Sequence, residues 1–196
     1  MKILSTYRLT TILVISFLSL NASLIAQTYT LQKSASQMEV FGTSNLHDWE
    51  LTVENMQGTI EVKQEGNVIK SISKLDLSIL AESLKSGKNG MDKNTFKALN
   101  TEDYENITYK LKSVESINSK SGGECTLNTT GDLMLAGVTQ PISIVFNAKI
   151  LQDKITLSGE KEINMTDYKI EPPKALFGTI TTGEKVIIKF KTTFTN

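Results

Sequence analysis

The chain has 196 residues, with 21 basic and 21 acidic side chains, a single histidine and a single cysteine. One imidazole and one thiol do not make a zinc cage or a redox pair. With no surplus of positive charge, there is no basic face to neutralise nucleic-acid phosphates.

Lys2 and Arg8 precede an apolar run, Thr11 to Leu20 (TILVISFLSL). That run has about the length of a secretory h-region and is shorter than the roughly 20 residues a membrane-spanning helix needs. Residues 1–26 are therefore expected to be a cleaved export signal, cut after Ala26 or, because Leu24 stands where a small side chain is preferred, after Ser23. The mature domain is then 27–196, periplasmic or secreted, with no stable membrane span and long enough to bury a real core without disulfides. Arg8 is the only arginine, so an anionic ligand head would meet lysine, hydroxyls or backbone N–H groups in place of a bidentate guanidinium.

From residue 28 onward the sequence alternates with period two, the mark of half-buried antiparallel strands. Strands are expected near 28–34, 37–43, 49–54 and 58–64. Further on, Leu75, Leu77 and Ile79 alternate with polar residues, as do Ile107, Tyr109 and Leu111. Ile142, Ile144, Phe146, Ala148 and Ile150 form a longer stripe, followed by Ile155 with Leu157 and by Val186, Ile188, Phe190 and Phe194. Gln152-Asp153 and Gly122-Gly123 read as hairpin turns, and Cys125 reads as a small core residue. Nine or ten strands are too many for one open twisted sheet in a small domain, so an all-β barrel or sandwich is expected.

Two regions break the pattern. Residues 81–104 carry a short helical signal near 92–100, in which Asp92 caps the first turn and Phe96 and Leu99 share a face. Residues 164–182, with Pro172-Pro173, are too long for a simple hairpin and suit the border of a binding site.

The compact corner His47-Asp48-Trp49, with Ser44 nearby, invites a nucleophile-and-base reading. On a strand, however, neighbours point to opposite faces, and a structural or ligand-contact role fits better. The stretch Ser86 to Gly90 (SGKNG) lacks the spacing of a phosphate loop. Thr101-Glu102-Asp103 lacks a calcium-loop pattern, and no cofactor is expected. The N-x-T triplets at Asn106, Asn128 and Asn164 arise readily in threonine-rich strands. Tyr104, Tyr109 and Tyr168, with Trp49, Phe96 and Phe177, lie close to the irregular segments and either line an entrance or fill a core.

Four segments together resemble the YceI-like family: GTSNLHDWELTV at 42–53, NGMDKNTFKALNTEDYENITYKL at 89–111, GDLMLAGVTQPISIVF at 131–146 and MTDYKIEPPKALFGTI at 165–180. The corner is similar to that of a His-Asp-Trp branch of the family. The resemblance implies an antiparallel lipocalin-like β-barrel with one or two short helices near a barrel end, and no catalysis. It also implies an interior that holds an isoprenoid-like or other long-chain lipid, and a possible homodimer. It points to the 42–49 strand, the 91–104 helix and the 165–180 loop as pocket regions. The candidate lining is Phe41, Leu46, His47 and Trp49 from the first, Met91, Phe96, Leu99 and Tyr104 from the second, Tyr168 and Phe177 from the third, and Tyr109 from the adjoining strand.

Overall fold

The computed structural model describes residues 26–196, so the expected export signal falls, but for Ala26, outside the described residues. The strands are β1 (Gln27–Leu31), β2 (Gln37–Ser44), β3 (Trp49–Val53), β4 (Met56–Glu65), β5 (Val68–Leu80) and β6 (Leu84–Lys85). They continue with β7 (Asn106–Ser119), β8 (Glu124–Leu135), β9 (Val138–Leu151), β10 (Lys154–Asn164), β11 (Lys174–Ala175) and β12 (Ile180–Thr195). One helix, α1 (Asn89–Leu99), lies between β6 and β7.

Eight strands close a hydrogen-bonded ring in the order β1, β4, β5, β7, β8, β9, β10, β12 and back to β1. Of the barrel and the sandwich that the alternation allows, the barrel implied by the resemblance is therefore present. Closure removes the unpaired edges that an open sheet of this size would expose. The ring is shut by a short ladder, Thr30 with Thr195 and Leu31 with Phe194. The same edge of β12 then passes to β2, from Lys191 opposite Gln37 to Thr182 opposite Ser44. β2 carries β3, and β3 carries β6, as a branch leaving the ring.

At the closed end the interior is solid. Ile60, Val62, Ile150, Ile155, Leu157 and Phe194 have essentially no solvent exposure, and Tyr29 is buried with them. Further along, the rings of Tyr109, Phe146 and Phe190 pack at centroid separations of 6.3 and 5.4 Å. Cys125 is buried on the inward face of β8, where the alternation places it, and burial pushes its thiol pKa up. The Gln152-Asp153 turn joins Leu151 to Lys154, and Ser121–Gly123 forms the turn between β7 and β8.

α1 begins earlier than the sequence pattern indicates and ends where Asn100 takes the left-handed conformation at φ 50°. Asp92 corrects the expected cap. It lies inside the first turn, and its carboxylate accepts bonds from the Ser86 backbone N–H (2.8 Å) and Ser86 hydroxyl (2.6 Å), tying the preceding loop to the helix. Burial alone would raise its pKa, but these two bonds and the Lys85 charge outweigh burial and hold it low.

Phe194 is enclosed on both sides by the closing ladder and by Ile155. Phe194→Ala is expected to lower unfolding free energy by about 3–5 kcal/mol through lost transfer energy and a residual cavity. Urea titration, read as a shift in midpoint without a change in slope, checks this.

Candidate functional site

The corner at 44–49 is a knot of local hydrogen bonds. The Ser44 hydroxyl donates to the His47 carbonyl (2.7 Å) and accepts from the N–H groups of Leu46 and His47. His47 Nδ1 lies 2.9 Å from the Asp48 carbonyl, which only accepts, so the proton belongs on Nδ1. Ser44, His47 and Asp48 thus do not form a relay. The serine hydroxyl is committed to backbone, and the histidine is oriented by a carbonyl rather than by a carboxylate.

Trp49 folds back across β2, and its Nε1 donates to the Thr43 carbonyl (3.0 Å). Its ring lies on Gly42, its partner in the β2–β3 ladder, where an added Cβ would sit 2.1 Å from Cζ2. Only a residue without a side chain allows the indole that seat. Asn45 binds the corner to the end of the loop after β11 and the start of β12 through three bonds: its amide donates to the Thr179 carbonyl (2.9 Å), its Oδ1 accepts from the Thr181 N–H (2.9 Å), and its own N–H donates to the Thr181 carbonyl (3.1 Å).

Between this pair of loops and α1 lies a cleft of about 720 Å³. Its floor and walls include Trp49, Leu51, Met91, Ala98, Leu99 and Ile180. Its rim includes His47, Lys88, Lys93 and Lys174, and no carboxylate lines it. Behind it, inside the barrel, is a narrow void of about 110 Å³ lined by Met38, Val40, Val53, Leu133, Ile163, Met165, Ile188 and other apolar side chains. Leu51, Thr95 and Leu99 belong to both linings and form the partition between them. Among the described residues the barrel interior is therefore largely packed, with a small gap toward its open end that these three side chains separate from the cleft. As it stands the void is well under the roughly 300 Å³ at which small-molecule pockets begin, whereas the cleft lies within that range.

Of the expected lining residues, His47, Trp49, Met91 and Leu99 line the cleft, and Leu99 also reaches the void. The others lie elsewhere. Phe41 falls on the opposite face of β2 from Met38 and Val40, with Lys189 Nζ 5.1 Å from its ring centroid. Phe96 is half-buried with Lys85 Nζ 4.6 Å from its ring, and it borders neither space. Tyr104 lies across Gly137 in the β8–β9 turn, where φ is +77° and a Cβ would meet the ring. Tyr109 is core, packed edge-on to Phe146. Tyr168 is buried in the turn after β10, beside a separate shallow depression with Gln140 and Asn164. Leu46 and Phe177 are solvent-exposed loop tips.

The partition residues Leu51 and Thr95 and the rim lysines were not among the expected set. Leu51 shows the alternation of an ordinary core residue. Thr95 follows from the helix face shared by Met91, Thr95 and Leu99 at four-residue spacing.

The Tyr168 hydroxyl is buried without a hydrogen-bond partner, and burial together with Asp167 pushes its pKa up to about 12. Burial also raises Tyr109, tempered by the Thr129 hydroxyl, which lies outside hydrogen-bonding geometry and itself donates to the Ile144 carbonyl.

A YceI-like domain model matches residues 29–194. No match is found among curated proteins by sequence. Three solved structures share the fold at low identity. BcnA of Burkholderia cenocepacia has a TM-score of 0.68 and 14% identity over 83% of this chain and 98% of its own. A polyisoprenoid binding domain from Saccharophagus degradans, implicated in plant cell wall breakdown, has 0.66 and 16% over 85% and 97%. The Campylobacter jejuni YCEI protein has 0.59 and 17% over 74% and 82%.

Two substitutions probe this region. Gly42→Ala is expected to displace the indole of Trp49, red-shift the emission of the chain's only tryptophan and cost about 1–3 kcal/mol, as overpacking does. Steady-state fluorescence and thermal unfolding measure both effects. Tyr168 keeps its proton in the folded state up to about pH 12, whereas the unfolded chain releases it from about pH 10. Stability is therefore lost as pH rises through that window. Tyr168→Phe should flatten the alkaline fall and leave stability at pH 8 equal or higher, since an unpartnered buried hydroxyl costs about 1–3 kcal/mol. Melting temperatures from pH 8 to 12 give the comparison.

Proposed function

The chain belongs to the YceI-like domain family, and from that premise we propose that it is an exported, non-catalytic carrier or sequestering protein for an isoprenoid-like or other amphipathic lipid. The observation that carries this reading is the adjacency of the 720 Å³ cleft and the apolar barrel void, divided only by Leu51, Thr95 and Leu99, which line both. A chain laid along the two loses water contact at about 0.8 kcal/mol per methylene. Few polar groups are then required, in keeping with a cleft that presents one histidine, three lysines and hydroxyls. The polyisoprenoid binding domain among the structural neighbours supports the same ligand class. The apolar run at 11–20 supports export to the periplasm or beyond, and the corner at 47–49 supports placement in a His-Asp-Trp branch.

Entry of a chain requires α1 to move. Its neighbours are the Ala81–Ser83 turn and β6, and only Asp92 and Leu99 of its residues are buried, so displacing it exposes little apolar surface. Outward movement of Leu99 and Thr95 joins the void to the cleft and gives a continuous channel within the usual range for ligand pockets.

A second reading, a solid barrel that serves as an interaction module, is favoured by the small volume of the void. One variant separates the two. Thr95→Trp enlarges the partition from a half-buried helix position with little disturbance of the core. For a lipid carrier it is expected to weaken binding of a long-chain prenol or fatty acid by at least about tenfold, equivalent to about 1.4 kcal/mol, with the melting temperature preserved. Native mass spectrometry of the purified protein, with titration of a fluorescent fatty acid, provides the measurement. Failure of wild-type protein both to retain and to take up any such lipid sinks the carrier reading and leaves the module.

A further inference from the structure

The three most exposed large apolar side chains among the described residues are Phe177 at 111%, Leu176 at 67% and Leu46 at 65% relative exposure. All three sit at the same end of the molecule. Leu46 is the tip of the 44–47 corner, Leu176 and Phe177 are the tip of the loop after β11, and Asn45 bonds the two loops together through Thr179 and Thr181. Leu176 also lines the mouth of the cleft.

Leu176 and Phe177 are consecutive L-residues at positive φ, 48° and 57°. That region is unfavourable for side chains without a short polar end. The fold thus holds a Leu-Phe pair outward in a strained conformation, where Gly or Asn would be easier. Around this tip the rim carries Lys88, Lys93 and Lys174 with no carboxylate in the lining. Lys174 lies 3.7 Å from the exposed Glu171, while Lys88 and Lys93 have no ion-pair partner among the described residues. Asp48 is exposed on the corner.

We propose that this end of the protein is a docking face for an anionic lipid bilayer, with Leu46, Leu176 and Phe177 entering the headgroup and acyl boundary and Lys88, Lys93 and Lys174 meeting lipid phosphates. Apolar tips flanked by lysines match the two signals that reversible peripheral binding requires, a modest buried apolar area and charge attraction to an anionic surface. The geometry turns the cleft mouth toward the membrane. The proposal concerns the outer surface and stands whether or not the cleft holds a lipid.

The test uses the mature protein with sedimented vesicles of phosphatidylcholine alone or with 30% phosphatidylglycerol, chosen at about that fraction to give a moderately anionic surface. Expected are binding to the anionic vesicles, weakening at high salt, and at least about tenfold weaker partitioning of the double variant Leu46→Asn with Phe177→Asn. Asn tolerates positive φ, so the loop can keep its shape, and an unchanged melting temperature verifies the fold. Each lysine replaced by Gln should weaken binding by roughly fivefold. The proposal is overturned if wild type does not bind anionic vesicles, if it binds neutral vesicles equally well, or if the Asn variant binds as wild type does. It is also overturned if sedimentation of the protein alone shows a dimer that the Asn substitutions disperse, which assigns the apolar tips to a second copy of the chain.

Discussion

A β-strand has two hydrogen-bonding edges, and the architecture depends on how β12 divides one of its own. One edge pairs with β10 over most of its length, from Lys154 opposite Thr195 to Asn164 opposite Lys185. The other is shared, with β1 taking Phe194 and Thr195 and β2 pairing from Lys191 to Thr182. Because β1 also pairs with β4, the sheet closes at that end. Because β2 leads to β3 and β6 instead, the wall diverges at the other end, and the helix, the void and the cleft all lie where it diverges.

Packing follows this split. At the closed end every inward side chain meets others across a narrow ring, giving the solid density of an ordinary protein interior. At the open end the inward stripes of β2, β3, β8 and β12 face a short helix that contributes little buried surface. The lower local stability that comes with few buried apolar contacts is the property a moving element needs.

Much of the barrel was legible because its strands alternate cleanly. β8 and β9 bury every second residue over much of their lengths, and the inward face of β9, from Ile142 to Ile150, was assigned from sequence alone. The reading stops short where bulges intervene. On β5 the pairing skips Ser73 and Lys70, and on the adjacent β7 it skips Lys112 and Glu115. Ile69, Ile72 and Leu75 are therefore buried at a spacing of three, as are the half-buried Leu111, Val114 and Ile117. That spacing carries no period-two signal, and each expected stripe ended at its first bulge. β6 and β11, at two residues each, are too short to carry any pattern. Of the expected pocket residues, Trp49 and Leu99 line the cleft, whereas Phe96, read on the same helix face as Leu99, borders neither space. Residue type was a weaker guide to position. Aromatic character alone did not distinguish Tyr109 in the core from Phe177 in solvent, because a large ring gains from burial at any site that happens to accept it.

The clamp formed by Asn45 has one last implication. With its backbone and side chain bonded across to Thr179 and Thr181, the corner and the facing loop behave as a single fixed jaw, while α1 opposite them is anchored chiefly by one leucine and one aspartate. A mouth built that way has one braced wall and one lightly held wall. On the carrier proposal, the size of what enters is set by the reach of a three-turn helix rather than by the girth of the barrel.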